Sequence, residues 1–199
     1  MSEAAFTPKP PPRGLDRGPP EPDEVVVMPM QFVAAIRKVG TLLREVKSKW
    51  ALSGDAGEVM NNVALEPDRL EIVTTREGCD EISQKLSTYQ TIAPAESEKK
   101  LERAAIVDGT NYPVYVRSRY AEFMVNGSKL EVYGDMQFKV GDWDWGDPLD
   151  WEAVDVYLVG EKIPTLPISM KSELYMGLGW LDRVLLIGDA IRRGTHAQV

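Results

Sequence analysis

The spacing of apolar residues differs between the two parts of this chain. In the first part it predicts helices that alternate with strands, and in the second part it predicts a run of strands. From Met30 to Lys49 the apolar side chains recur at helical intervals, which predicts an amphipathic helix with one buried stripe. A strand over 50–54, a short helix over 55–62, a strand over 70–75 and a helix over 77–89 are expected next. A strand, a helix and a second strand in succession predict one parallel crossover.

The second part of the chain is rich in short strand-like segments. Polar residues over 90–110 predict a loop, with a helical turn near 97–103. Strands are expected over 112–119, 121–125, 129–133, 136–140, 154–159 and 163–166, with Asn126-Gly127 as a hairpin turn. Two helices, over about 169–177 and 180–192, follow them. This order predicts an α/β (α+β) domain, in which helices pack against a mixed β-sheet.

Residues 1–24 differ in composition from the rest and hold seven of the fourteen prolines. Proline interrupts helices and sheet interiors, and this segment has few apolar side chains to bury. We therefore expect a disordered, polyproline-like tail at 1–24 and one globular domain over 25–199. The alternative is that the tail is a docking ligand for an aromatic groove on another protein.

Charge and residue counts argue against several functions. A net charge of -8 does not favour the binding of a nucleic-acid duplex by bulk electrostatics. The single cysteine, Cys79, excludes an internal disulfide, and the single histidine, His196, argues against Ser-His-Asp catalysis and a His-ligated zinc site. No apolar run approaches the roughly 20 residues that cross a bilayer. The N-terminus also lacks the apolar core of a signal peptide, so we expect a cytoplasmic protein.

Four parts of the sequence place small or charged residues on predicted strands or at the ends of predicted strands and helices. In chain order they are Leu52-Ser53-Gly54-Asp55, Asp68-Arg69-Leu70-Glu71-Ile72, Gly127-Ser128-Lys129-Leu130-Glu131-Val132-Tyr133-Gly134-Asp135, and Ile163-Pro164-Thr165-Leu166-Pro167-Ile168 together with Leu178-Gly179-Trp180-Leu181-Asp182-Arg183. Because strand side chains alternate between faces, Arg69 and Glu71 are expected to share one face and Asp68 to lie on the other. Small residues such as Ser53 and Gly54 let a backbone approach a phosphate closely.

Together with the order of elements, these segments resemble the nucleotidyltransferases of the DNA polymerase β superfamily. The resemblance covers roughly residues 30–192 and is strongest to the small stand-alone prokaryotic members, some of which belong to toxin–antitoxin pairs. It implies a fold of the kind already inferred from the patterns. It also implies transfer of a nucleotidyl group from a nucleoside triphosphate to an acceptor, with Mg²⁺ as the cofactor.

The resemblance implies roles for individual residues. Glu71 matches the second carboxylate of the family's strand pair and Glu131 matches its third carboxylate. These two are therefore the expected catalytic and metal-binding residues, and Asp68 is a further catalytic candidate. The expected nucleotide-binding residues are Ser53, Gly54, Arg69 and Lys171.

Two positions depart from the family pattern. Arg69 stands where the family has its first carboxylate, and its cationic guanidinium would repel a divalent ion. Tyr175 stands where the family frequently has a lysine, for which Lys171, one helical turn earlier, is a substitute. The carboxylate motif is therefore degenerate, and the sequence leaves open whether the chain is an enzyme.

Three functions are open at this point. The first is nucleotidyl transfer with Mg²⁺ held by Glu71 and Glu131. The second is non-catalytic binding of a nucleotide or a protein partner on the same fold, in which Arg69 holds a phosphate directly. The third is a role as a subunit of a larger complex, tethered by the proline-rich tail.

The segment 142–151 packs four aspartates and three tryptophans into ten residues. The aspartates oppose a phosphate backbone, so a free nucleobase or a protein partner fits this loop better than a nucleic acid. The structural alternative is that the tryptophans pin the loop over the sheet, since large aromatic side chains mostly serve burial.

Overall fold

The structure is a computed structural model that describes residues 28–196. Over these residues the helices are α1 (Met30–Leu43), α2 (Gly54–Met60), α3 (Arg76–Lys85), α4 (Ile168–Gly177) and α5 (Leu181–His196), with a 3-10 helix at Ser87–Tyr89. The strands are β1 (Trp50–Ser53), β2 (Leu70–Thr74), β3 (Gln90–Lys100), β4 (Ala105–Val107), β5 (Thr110–Tyr112), β6 (Val114–Val125), β7 (Ser128–Val140), β8 (Val154–Leu158) and β9 (Glu161–Thr165). The predicted tail at 1–24 lies outside the described residues. Among the described helices, none is long and apolar enough to cross a membrane.

Seven strands form one mixed sheet in the order β3-β6-β7-β2-β1-β9-β8, and β4 and β5 form a separate hairpin. In the sheet β2 pairs parallel with β7, β1 pairs parallel with β9, and the other pairs are antiparallel. The predicted α+β class with a mixed sheet is thus confirmed. The expected parallel crossover between the first two strands is wrong, because β1 and β2 are antiparallel neighbours. The parallel pairs instead join strands that are distant in sequence.

The strands β6 and β7 are longer than the sequence patterns indicated. Each covers two of the predicted short strands. A register shift between Arg117 and Arg119 and a positive φ of 48° at Asp135 mark a bulge through which the pairing continues. The hairpin turn at Asn126-Gly127 is present, with φ values of 49° and 75°.

Residues 90–110 contain β3, β4 and the first residue of β5, so the predicted loop and its helical turn are wrong. Strand β3 lies at the edge of the sheet, where it pairs with β6, and most of its side chains are exposed. An exposed edge strand needs no alternation of apolar and polar residues, and this is why its sequence looked like a loop. Pro94 falls within a register shift of the β3–β6 pair, where a missing backbone donor is tolerated.

The main core lies between one face of the sheet and the helices α1 and α3. Helix α1 ends at Leu43, earlier than predicted, and buries Phe32, Ile36 and Val39 as its apolar stripe. Because side chains alternate along β2, Leu70 and Ile72 pack in this core while Glu71 and Val73 project to the opposite face. A second apolar cluster joins α4 and α5 to the rest of the domain. The face that carries Glu71 therefore meets α4 and α5 and not α1 and α3.

The segment with aspartates and tryptophans forms neither helix nor strand over 142–151. Trp151 is buried in a small apolar cluster on the sheet. The backbone amide of Gly146 donates to the Phe138 carbonyl at 2.9 Å, which holds the loop beside β7. Trp143, by contrast, is 55% exposed. The tryptophan anchor predicted from the sequence is thus observed for Trp151 but not for Trp143.

Candidate functional site

A cleft of about 600 Å³ opens on the sheet face that carries Glu71. Its walls come from β1, β2 and β7 on one side, and from α4, α5 and the end of β3 on the other. All seven residues that the sequence predicted as site residues line it: Ser53, Gly54, Asp68, Arg69, Glu71, Glu131 and Lys171. The fold therefore gathers residues from four separate segments of the chain into one place.

Glu71 and Glu131 are register partners on the parallel strands β2 and β7. The side chain of Arg69 lies between them. Its Nε is 2.9 Å from Glu71 Oε1 and 3.0 Å from Glu131 Oε2. One nitrogen of a guanidinium thus bridges the two carboxylates that were expected to hold a metal ion.

Asp68 contacts this guanidinium from the rim of the cleft. Its Oδ1 is 3.1 Å from Arg69 Nη1, and its side chain is 57% exposed, compared with 21% for Glu71 and 7% for Glu131. Strand β2 begins only at Leu70, so Asp68 precedes the regular strand. Asp68 is therefore a partner of Arg69 and a more solvated group than the two glutamates.

Glu131 is surrounded by hydrogen-bond donors. Lys129 Nζ lies 2.8 Å from Glu131 Oε1, the Tyr120 hydroxyl donates to the same oxygen at 3.0 Å, and the Tyr133 hydroxyl donates to Oε2 at 2.7 Å. Burial opposes ionisation of Glu131, but the hydrogen bonds from Lys129, Tyr133 and Tyr120 and the charge of Arg69 outweigh it. The pKa of Glu131 consequently lies below its ordinary value, and the side chain is a carboxylate at neutral pH.

Glu71 is half-buried, and it packs closely against Gly54, the residue that follows β1. Burial raises the pKa of Glu71 above its ordinary value, although the charges of Lys171 and Arg69 act in the opposite direction. Gly54 has a φ of 59°, and a Cβ at this position would lie 2.7 Å from Glu71 Cδ. Glycine is therefore needed both for the backbone conformation and for the close approach of Glu71. The preceding residue, Ser53, is buried and makes no side-chain cap to the seven-residue helix α2.

Lys171 reaches into the wall of the cleft from α4. Its Nζ is 3.3 Å from Glu58 Oε1, and the Tyr175 hydroxyl donates to the same oxygen. Burial disfavours the charged form of Lys171 and so lowers its pKa. The interactions with Tyr175, Glu58 and Glu71 outweigh this effect and hold the pKa of Lys171 above its ordinary value. Burial also raises the pKa of Tyr175 to about 12. Lys171 and Tyr175 lie one helical turn apart and share Glu58 as a partner.

Asp182 and Arg183 are neighbours in the sequence, but they have different ion-pair partners. Asp182 forms an ion pair with Arg103, and Arg183 Nη1 lies 2.8 Å from Asp55 Oδ1. The side chain of Arg183 is 17% exposed. Arg183 therefore belongs to the wall of the cleft.

Sequence reasoning missed Glu58 and the roles of Asp55 and Lys129. Glu58 had a recognisable signal in the sequence, because it lies among small and apolar neighbours in α2. In the structure its side chain is only 2% exposed. A charged residue within such a run predicts a buried partner of opposite charge. Lys129 had no comparable signal, since an isolated lysine next to a hairpin turn is common on protein surfaces.

Basic side chains outnumber acidic ones in the cleft, although the chain as a whole is acidic. The basic residues are Arg69, Lys99, Lys100, Arg103, Lys129, Lys171 and Arg183. The acidic residues are Asp55, Asp68, Glu71, Glu102 and Glu131. With a net charge of -8 on the whole chain, this concentration of cations makes the cleft a favourable place for an anion.

Magnesium does not fit the carboxylates as they are arranged. Mg²⁺ requires oxygen ligands at about 2.0–2.1 Å in an octahedral geometry. The two strand carboxylates instead share the guanidinium of Arg69. Across residues 28–196, no three His, Cys, Asp or Glu side chains are grouped in a way that could hold a metal ion.

Comparison with solved structures identifies the fold. A candidate nucleotidyltransferase from Thermotoga maritima aligns with a TM-score of 0.64 and 22% sequence identity, over 86% of this chain and 96% of that chain. The aminoglycoside nucleotidyltransferase ANT(2″)-Ia, in complex with adenylyl-2″-tobramycin, aligns over 84% of this chain and 97% of its own. Its TM-score of 0.43 and 8% identity are too low to support an argument. No protein-family model and no curated protein matches the sequence. The chain has a nucleotidyltransferase-like fold.

Proposed function

We propose that this chain binds a nucleotide in the cleft and holds its phosphates with basic side chains. The observation that carries the proposal is the concentration of Lys and Arg in the cleft of an otherwise acidic chain. Phosphate oxygens form strong charge-assisted hydrogen bonds with guanidinium and ammonium groups. The nucleotidyltransferase-like fold makes a nucleotide the first class of anion to test.

Exposure separates the basic residues into two groups. Arg69, Lys129 and Arg103 have side chains that are 41%, 40% and 36% exposed, so they are able to contact a ligand. Lys171 and Arg183 are only 10% and 17% exposed, and they pair with Glu58 and Asp55 respectively. In the proposed function the first group contacts the phosphates and the second group shapes the wall behind them.

The test is a calorimetric titration of ATP, GTP, CTP and UTP into the full chain, with and without Mg²⁺. We expect saturable binding without the metal, and a loss of about tenfold or more in affinity in R69A, which corresponds to about 1.4 kcal/mol. The matched control is R76A, because Arg76 forms an exposed ion pair with Glu96 and does not line the cleft. Absence of binding for all four nucleotides, with or without Mg²⁺, contradicts the proposal.

Nucleotidyl transfer with Mg²⁺ is the second candidate function. The register pairing of Glu71 with Glu131 favours it, because these residues match the expected carboxylates of the family. It requires Arg69 to leave both glutamates, which the arrangement of the site does not favour. Nucleotide binding that depends on Mg²⁺ and disappears in E71Q, together with release of pyrophosphate, would support this function over metal-independent binding.

A further inference from the structure

Arg69 contacts three carboxylates at once. Its Nε lies 2.9 Å from Glu71 Oε1 and 3.0 Å from Glu131 Oε2, and its Nη1 lies 3.1 Å from Asp68 Oδ1. Arg69 directly precedes β2 and lies two positions before Glu71, and both side chains line the cleft. The guanidinium of Arg69 therefore lies where the side chains of Glu71 on β2 and Glu131 on β7 meet.

The pairing of β2 with β7 creates a need for a cation at this point. The register sets Glu71 beside Glu131, and neighbouring strands are only about 4.8 Å apart. Two carboxylates this close and this poorly solvated repel each other unless a positive charge lies between them. Arg69 supplies that charge from within the chain.

A metal ion at the same point would have to compete with Arg69. The guanidinium occupies the space between the two glutamates, and its permanent positive charge repels a second cation. Lys129, whose Nζ is 2.8 Å from Glu131 Oε1, adds further positive charge beside the same carboxylate. Arg69 thus occupies the position at which a third carboxylate, together with Glu71 and Glu131, would provide oxygen ligands for a metal ion.

We propose that Arg69 is an internal cation that replaces a divalent metal ion, and that the single substitution R69D converts this part of the cleft into a metal site. The new carboxylate would lie two positions before Glu71 and would face the same cleft as the register pair of Glu71 and Glu131. Three carboxylates without a guanidinium among them form an oxygen-rich set suited to Mg²⁺ or Mn²⁺. This proposal does not rest on nucleotide binding, since it concerns the metal ion alone.

The experiment titrates Mn²⁺ alone into the wild-type chain and R69D, with R76D as the matched control. R76D makes the same change of charge at an exposed pair, in which the side chains of Arg76 and Glu96 are 51% and 58% exposed. Free Mn²⁺ is followed by electron paramagnetic resonance, and thermal unfolding is recorded with and without Mn²⁺. We expect saturable binding of one Mn²⁺ and an Mn²⁺-dependent rise in Tm for R69D, and neither effect for the wild type or R76D.

Further variants assign the site and allow for misfolding. In R69D/E71Q and R69D/E131Q, we expect the affinity for Mn²⁺ to fall at least tenfold below that of R69D, because each lacks one of the proposed ligands. Should R69D fail to fold, R69N provides an oxygen ligand without adding a negative charge. R69N is then expected to bind Mn²⁺ more tightly than R76D.

Two results would overturn the proposal. One is saturable Mn²⁺ binding by the wild-type chain that disappears in E71Q, since the glutamates would then hold metal in the presence of Arg69. The other is a folded R69D or R69N that binds Mn²⁺ no better than R76D. Neither result depends on nucleotide, so this proposal and the proposed nucleotide binding are able to fail separately.

Discussion

Arg183 and Asp55 form an ion pair that joins α5 to the first turn of α2. Arg183 Nη1 donates to Asp55 Oδ1 at 2.8 Å, and Arg183 Nη2 donates to Asp55 Oδ2 at 3.3 Å. The pair is thus bidentate, and its side chains are 17% and 32% exposed. Asp55 directly follows Gly54, which packs on Glu71. The ion pair therefore fixes the position of α5 relative to Gly54 and Glu71 in the cleft.

The Arg183–Asp55 pair is expected to stabilise the fold. In a double-mutant cycle of D55A and R183A, we predict a coupling energy of about 1–2 kcal/mol, because the pair is partly buried and bidentate. Urea unfolding of the wild type, the two single variants and the double variant measures it. A coupling indistinguishable from zero would contradict the prediction.

The matched control is the ion pair between Lys162 and Asp155, whose side chains are 59% and 46% exposed. It also joins two separate elements, β9 and β8, but it lies in solvent. Exposed pairs are screened by water and lose side-chain entropy when they form. The same cycle at this pair is therefore expected to show little or no coupling.

The sequence predicted those parts of the site that depend on local pattern. Glu71 and Glu131 were recognised because each lies on a predicted strand, at a position that matches a carboxylate of the family that the sequence resembles. Gly54 was recognised because a glycine at the end of a strand marks a sharp turn. These features need no knowledge of which strands are neighbours in the sheet.

The parts that were missed depend on contacts between distant segments. The bridge made by Arg69 exists only because β2 pairs with β7, and about 60 residues separate Glu71 from its partner Glu131. The pairing of Lys171 with Glu58 likewise requires α4 to pack beside α2. Strand β3 was missed for a different reason: its exposed side chains carry no apolar alternation.

Lys171 is expected to be required for stability because of its buried partner. Replacing it in K171M leaves Glu58, whose side chain is 2% exposed, without its nearest ammonium group. A buried charge that loses its only partner costs about 3–5 kcal/mol of the free energy of unfolding. Arg183 Nη1 remains 3.6 Å from Glu58 Oε2, so we expect a loss near the lower end of this range. Urea unfolding measures this loss.

A second variant tests whether charge is the cause. In K171M/E58Q the buried charge of residue 58 is removed, while an amide oxygen remains as the acceptor for the Tyr175 hydroxyl. We expect this double variant to be clearly more stable than K171M. Equal stability of the two would indicate that the packing of the lysine stem, and not the charge of Glu58, accounts for the loss.

Gly54 is expected to be less tolerant of substitution than Gly127, another glycine with positive φ. In G54A the new Cβ would meet Glu71 Cδ at 2.7 Å, in addition to the strain of a φ of 59°. G127A isolates the strain, because Gly127 has a φ of 75° and no atom within 4 Å of an added Cβ. We predict a loss of roughly 1–2 kcal/mol for G127A and a larger loss for G54A. Equal losses in thermal or urea unfolding would show that the contact with Glu71 is unimportant.

Cys79 is expected to resist alkylation in the folded protein. Its side chain is buried, and burial together with the charge of Asp80 raises the pKa of the thiol to about 12 from an ordinary value of 9.0. The folded state therefore holds the thiol proton more tightly than the unfolded state. This contribution to stability is fully present below pH 9.0 and is lost as the pH rises through about 12.

The rate of reaction with iodoacetamide at pH 8 tests this expectation. Only the thiolate reacts, and its fraction at pH 8 falls roughly a thousandfold when the pKa rises from 9.0 to about 12. We predict that the native chain reacts at least that much more slowly than the chain unfolded in guanidinium chloride. The variant C79A serves as the blank, since the sequence has no other cysteine. A native rate close to the unfolded rate would mean that α3 opens readily and that Cys79 is accessible in solution.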